Sequence, residues 1–251
     1  MTIRTAQGRA GLAADDGPIL VSIGVFDGLH LGHAWLLDHL VREGRLRAAH
    51  PAVITFDAHP DAVLLGQAPP LLMDPGERLA RLARLGVEVV VVEHFDDALR
   101  RTPYDAFVRA IIARTALAGF VMTPDAAFGH ERAGTPAAVA ELGRGEGFDV
   151  VLVPPFTLDG REVRSSDIRT AIATGDLAAA ARLLGRPYAI TGALDDTGRV
   201  SFPMPVALPP AGTYDGSVDG RMVQVAVDPM GVQVEGTPAG AARIELGRRS
   251  A

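Results

Sequence analysis

Between residues 18 and 185 the chain alternates short apolar runs with longer stretches in which apolar residues recur every three or four positions. The runs are rich in β-branched residues and predict strands at 18–25, 51–56, 87–92, 119–122 and 148–153. Strands separated by amphipathic helices predict an α/β fold, a Rossmann-like parallel sheet with helices on both faces. A helix over 33–43 places Leu36, Leu37, Leu40 and Val41 on one face and leaves Asp38 and Arg42 to water. Start and stop signals punctuate the pattern. Asp74-Pro75-Gly76-Glu77 combines a capping aspartate, a proline at the first helical position and an acid three residues after the cap, and Gly86 closes that segment. Thr102-Pro103 and Thr135-Pro136 repeat the opening.

After "LLGRPYAITG" (183–192) the helical periodicity stops. Prolines and glycines crowd "SFPMPVALPPAGTYDG", and the strict alternation of "RMVQVAVDPMGVQVEG" predicts a β-hairpin. A boundary near residue 186 follows, with an α/β domain over 1–186 and a small β domain over 187–251.

Composition narrows the chemistry. A chain of 251 residues with 48% hydrophobic content can build a full core and a smaller second unit. No apolar run approaches the ~20 residues of a membrane span, and the N-terminal stretch has no signal-like apolar core, so a cytoplasmic location and no membrane partner are expected. Cysteine is absent, which excludes disulfides, thiolate nucleophiles and cysteine-bound zinc. All 24 basic residues are arginine. A Walker A lysine and a Schiff-base amine are therefore excluded, and any anion must be held by arginine, histidine or backbone N–H groups. A net charge of −6 without a basic stripe argues against a nucleic-acid partner. The oligomeric state is not readable from the chain.

The densest chemistry is "GVFDGLHLGH" at 24–33, directly behind the first predicted core strand. Open parallel sheets bind ligands at such strand-to-helix turns. Gly24, Gly28 and Gly32 allow close backbone approach, the start of helix 33–43 supplies N–H groups, and His30 and His33, three apart, can share one side. A plain glycine turn with locally satisfied histidines has the same composition. "RSSDIR" (164–169) offers two readings as well. Ser165 and Ser166 bring hydroxyls to a helix start, with Arg169 able to face the same phosphates, or the serines simply cap the helix. Asp27 before a glycine is also good turn chemistry.

Together these stretches resemble one family. "GVFDGLHLGH" is similar to the adenylyltransferase half of the bacterial bifunctional riboflavin kinase and FAD synthetase family. "VITFDAHP" (53–60), "DAAFG" (125–129), "RSSDIR" and "ATGDLAAAARLLGRPYAITG" (173–192) follow in the family's order over roughly residues 18 to 192. The resemblance implies transfer of AMP from ATP to FMN, with Mg2+, giving FAD and pyrophosphate. It implies catalytic roles for His30, His33 and Arg169 and nucleotide contacts from Gly24, Phe26, Asp27, Gly32, Ser165 and Ser166. Phe56, His59, Asp125 and Phe128 would face the acceptor; the metal ligands stay unassigned. Departures accompany it: Ala126 replaces an aromatic, Ser166 replaces a threonine, and Met204, Pro205 and Val206 stand where the family's kinase half places metal and nucleotide ligands. Residues 187–251 therefore read as a reduced, kinase-dead remnant with Asp195, Asp196 and Glu235 as solvated charges. Transfer to another phosphorylated acceptor, transfer from CTP, or an inactive flavin- or nucleotide-binding regulator are the alternatives.

Overall fold

In a computed structural model that describes residues 3–250, the strands of the α/β part are β1 (Arg4–Gln7), β2 (Ile19–Ile23), β3 (His50–Phe56), β4 (Val89–Glu93), β5 (Leu117–Met122) and β6 (Asp149–Leu152), the last five being the expected apolar runs. They form one parallel sheet ordered β1-β4-β3-β2-β5-β6. The intervening helices are α1 (Leu31–Leu46), α2 (Asp61–Leu64), α3 (Pro75–Arg84), α4 (Asp97–Arg100), α5 (Tyr104–Ile112) and α6 (Pro136–Glu146). Because β2 has β3 on one side and β5 on the other, the strand order reverses there, which opens a crevice at the strands' carboxyl ends. Ile19, Val21, Ile54, Val91 and Phe120 form one buried face of the sheet against Phe107, Val108 and Ile111 of α5, and Leu20, Val53, Val90 and Val121 are buried on the other.

Local signals act largely as read. Oδ1 of Asp74 accepts the N–H groups of Gly76 and Glu77 at 2.8 and 3.0 Å, and Thr135 accepts that of Ala138 at 3.3 Å. Asp38 and Arg42 of α1 pair at 2.9 Å on its outer face. Thr102 behaves differently: its hydroxyl donates backward to the Ala98 carbonyl at 2.8 Å, closing the preceding helix α4, while α5 starts behind Pro103 with no side-chain cap. Strand β1 was not among the expected strands, because "RTAQ" has no apolar pattern. It joins the sheet as an edge paired to β4, tied down by Arg9, whose guanidinium meets the buried Glu93 carboxylate at 2.9 Å.

The C-terminal chain contributes a two-stranded ribbon, β7 (Thr157–Leu158) and β8 (Arg161–Glu162), then α7 (Ser165–Ala173) and α8 (Leu177–Leu184). Six antiparallel strands follow: β9 (Tyr188–Leu194), β10 (Arg199–Ser201), β11 (Gly212–Val218), β12 (Arg221–Asp228), β13 (Gly231–Val234) and β14 (Gly240–Arg249). The expected hairpin is β12 and β13, but the whole set closes into a barrel ordered β10-β13-β12-β11-β14-β9, so what reads as a reduced β unit has no open sheet edge. Alternate residues such as Tyr214 and Val218 of β11 and Val225 and Val227 of β12 point inward.

Compact packing divides the chain otherwise than a cut at residue 186. One unit holds the chain up to Phe26, Gly32–Pro69 and Leu79–Phe156; the other holds Asp27–Leu31, Pro70–Arg78 and the chain from Thr157 onward. The reason is apolar: Ile168, Ile172, Leu177 and Leu184 of α7 and α8, and Leu72, share one buried cluster with the barrel's Tyr188, Ile190 and Leu194.

Tyr188 is buried, and its hydroxyl donates to the Ala207 carbonyl at 2.6 Å. Tyr188→Phe should lower unfolding free energy by about 1–2 kcal/mol, because the buried carbonyl loses its partner while the ring still packs. Urea unfolding followed by circular dichroism measures this.

Candidate functional site

A cavity of about 620 Å³ opens at the carboxyl ends of β2, β3 and β5. Gly24 and Val25 border it from the end of β2, Phe56 from β3, and Phe95 from just past β4. Phe56 and Phe95 meet edge to face at 5.3 Å, and Phe128 stacks on Phe120 at 5.8 Å and 29°. Ala126 lies on the same wall, and Arg100, His130, Glu131 and Arg132 also line the cavity. Flat aromatic walls with cations among them suit a planar ring system that bears an anionic arm. The loop carrying Phe128 depends on Gly129, which adopts φ +76° and where a Cβ would come within 2.7 Å of the Tyr104 backbone.

Among the expected acceptor residues, Phe56 and Phe128 line this cavity, whereas His59 and Asp125 are not among its lining residues. Nδ1 of His59 accepts the Asp61 N–H at 3.2 Å, and the Asp125 carboxylate accepts the Thr123 hydroxyl at 2.7 Å, so each fastens its own loop. Phe95, Arg100 and Arg132 were not foreseen. Phe95 was findable as a residue just past a strand's carboxyl end; the two arginines carry no local signal.

The chain beyond β2 is conformationally unusual. Phe26 holds φ 53° and is buried, with its ring 5.2 Å from that of His33 in the first turn of α1. Gly24 serves this packing, since a Cβ there would lie 3.1 Å from the Phe26 ring. Gly32 falls in the first turn of α1.

The next three residues, Asp27–Leu29, form a tight turn with Gly28 at φ 76°. Both oxygens of the Asp27 carboxylate lie 3.0 Å from the Leu72 N–H, and Oδ2 accepts from Arg169 Nη2 at 2.6 Å. With side-chain exposures of 4% for Asp27 and 18% for Arg169, this is a largely buried ion pair. Arg169 Nε donates to the Pro70 carbonyl at 2.9 Å, so one fork edge expected for phosphates is spent on the protein. Ser165 donates its hydroxyl to the Asp27 carbonyl at 3.3 Å. Its neighbour Ser166 lines a separate open groove with Arg161, Arg164 and Arg182. Arg186, also unforeseen, donates from Nη2 to the Gly28 carbonyl at 2.5 Å and from Nη1 to the Leu29 carbonyl at 3.1 Å.

His30, between this turn and α1, is 5% exposed. Burial, followed by the positive charges of Arg186 and Arg169, lowers its pKa to about 4. It is therefore a neutral imidazole at physiological pH, and any stabilisation of an anion by His30 is hydrogen bonding by a ring N–H, without net charge. In an unfolded chain the same imidazole titrates at the ordinary 6.5. Between those values the unfolded state binds more protons, so His30 burial destabilises the fold progressively as pH falls from 6.5 towards 4, and has no such effect above. His30→Gln should remove a pH-dependent loss on the order of 3 kcal/mol from denaturation midpoints across that window. Equal acid sensitivity in parent and variant would contradict a buried neutral His30.

Known proteins carry the same pattern. The FAD synthetase family profile matches residues 12–167. The chain is 33% identical over 197 residues to the bifunctional riboflavin kinase/FMN adenylyltransferase of Escherichia coli K12, covering 76% of this chain and 63% of that protein. It is 30% identical over 190 residues to the Listeria monocytogenes protein of the same name, covering 73% and 60%. The chain thus spans less than two thirds of the length of these relatives. The solved structure of a macrolide-efflux protein from Streptococcus pneumoniae shares the fold, with a TM-score of 0.80 at 20% identity, covering 100% of this chain and 91% of that one. Since the profile runs from the first core strand through the His30 and His33 turn to the Ser165–Asp167 helix start, more than half of the sequence, the chain belongs to the FAD synthetase family.

Proposed function

We propose that this chain transfers AMP from ATP to FMN, giving FAD and pyrophosphate, and that it does not phosphorylate riboflavin. The aromatic-walled cavity at the strand ends supports this most directly, because a flavin ring fits flat surfaces such as those of Phe56 and Phe128. The relatives named as FMN adenylyltransferases support the choice of substrates. In this reaction a phosphate oxygen of FMN forms a bond to the α-phosphorus of ATP as the bond to the bridging oxygen breaks, and pyrophosphate leaves. The protein's work is to position the groups and stabilise the charge that builds up.

In this proposal His33 and the N–H groups that open α1, around Gly32, meet the triphosphate. His30 acts as a neutral hydrogen-bonding group, while Asp27, Ser165 and Arg169 hold the turn that presents it. Among the described residues no group of three or more His, Asp or Glu side chains could hold a metal ion, and the Asp27 carboxylate is occupied by Arg169 and Leu72. Magnesium therefore belongs with the nucleotide as part of the substrate, as its preference for phosphates and water favours, and no residue here is assigned to it. The enzyme would act in the cytoplasm on small molecules. Among the described residues no helix is long and apolar enough to cross a membrane.

The absence of kinase chemistry is supported by what residues 202–208 do. Phe202, Val206 and Leu208 pack against the barrel's apolar cluster, and Leu71 exchanges backbone hydrogen bonds with Pro205 and Ala207 at 2.8 Å. Residues 187–251 are accordingly proposed to be a barrel without riboflavin kinase activity. Ala126 on the cavity wall supports a second reading, transfer to a different phosphorylated acceptor, from ATP or CTP.

Purified protein with Mg-ATP and FMN should release pyrophosphate and yield FAD by chromatography and mass spectrometry. A panel of other triphosphates and phosphorylated acceptors separates the second reading, and no product with any acceptor would leave only a binding role. His33→Ala should cut turnover about 10²–10³-fold while leaving the melting temperature near the parent's. Riboflavin supplied with Mg-ATP should give no FMN; its formation would show that the barrel retains kinase chemistry.

A further inference from the structure

Arg186 follows immediately on the helix α8, which ends in the left-handed Gly185 at φ 70°. That reversal brings the guanidinium under the Asp27–Leu29 turn, where its two terminal nitrogens donate to the Gly28, Leu29 and Leu184 carbonyls at 2.5, 3.1 and 3.1 Å. Three backbone oxygens from two segments thus converge on one side chain, two residues before the barrel's first strand begins at Tyr188. The carbonyls of Gly28 and Leu29 sit in a turn with positive φ at both residues, a conformation that needs outside support.

We propose that Arg186 is a positioning residue of the transfer site, setting the backbone of the Asp27–Leu29 turn and through it the place of His30. It rests on the FMN adenylyltransferase reading only in naming the reaction that His30 serves. Arg186 touches no substrate in this proposal. It acts by geometry through three hydrogen bonds, and by charge on His30. The other cation acting on His30 is Arg169, itself paired with Asp27, so loss of Arg186 leaves the imidazole with one cationic neighbour in place of two.

The test compares the full-length parent with Arg186→Met and Arg186→Lys. Three quantities are followed: the melting temperature, steady-state pyrophosphate release with Mg-ATP and FMN, and the NMR titration of the His30 ring, assigned by its loss in His30→Gln. Arg186→Met should lower kcat about 10²-fold with KM for ATP little changed, since a misplaced group costs rate more than binding. Its His30 should titrate at higher pH than in the parent. Arg186→Lys should return the His30 titration towards the parent by restoring the charge, yet recover only part of kcat, because an ammonium cannot reproduce a planar fork shared by three carbonyls. An unmoved His30 titration in Arg186→Met, or equal kcat in all three proteins, would overturn the proposal. So would a fall in kcat that merely follows the folded fraction. If the parent itself makes no FAD, the proposed substrate falls, and the His30 titration alone decides whether Arg186 governs the turn.

Discussion

Asp27 keeps a carboxylate where water hardly reaches, and the guanidinium of Arg169, 2.6 Å away, makes that tolerable. Removing either partner of such a pair leaves an uncompensated buried charge, typically costing about 3–5 kcal/mol. The pair also decides geometry. Its carboxylate fixes the Leu72 N–H, its guanidinium fixes the Pro70 carbonyl, and Ser165 on the same helix as Arg169 fastens the Asp27 carbonyl. Three segments far apart in the chain are thereby joined at one turn, and the His30 that follows is delivered buried and neutral.

The two halves of the expected chemistry fall to different kinds of surface. The cavity at the strand ends is walled by phenylalanines, which present flat ring faces. The turn and the start of α7 offer backbone N–H groups, hydroxyls and arginine, which stands alone as a cation in a chain without lysine. An all-arginine protein must place its cations with care, because each planar fork is readily claimed by carbonyls and carboxylates of the protein itself. Arg169 and Arg186 are both engaged in this way, Arg169 by the Asp27 carboxylate and the Pro70 carbonyl, Arg186 by the Gly28, Leu29 and Leu184 carbonyls.

The barrel fits the same logic. Its inner face is continuous with the apolar faces of α7 and α8, and Leu72 of the strap that meets Asp27 lies in the same cluster. A closed barrel can therefore be retained for what it supports even where the stretch at 202–208 presents phenylalanine, valine and leucine to the core. Its closure also removes the unpaired strand edges that a fragment of the same strands would expose.

Hydrophobic periodicity determined each expected strand, each expected helix and the hairpin of β12 and β13 from patterns within a dozen or so residues, and the regular succession of strand and helix from residue 18 to 185 determined the parallel character of the sheet. The motif residues determined the family in the same local way, and Phe56 and Phe128 on the cavity wall were legible from it. Strand β1 was not, since "RTAQ" gains its place only by pairing with β4. Only the tertiary structure decided that the helices over 165–184 pack with the barrel, that Thr102 closes one helix instead of opening the next, and that Arg169 meets a carboxylate 142 residues away. Burial and charge pairing are properties of neighbours in space, and neighbours so distant along the chain leave no periodic trace in it.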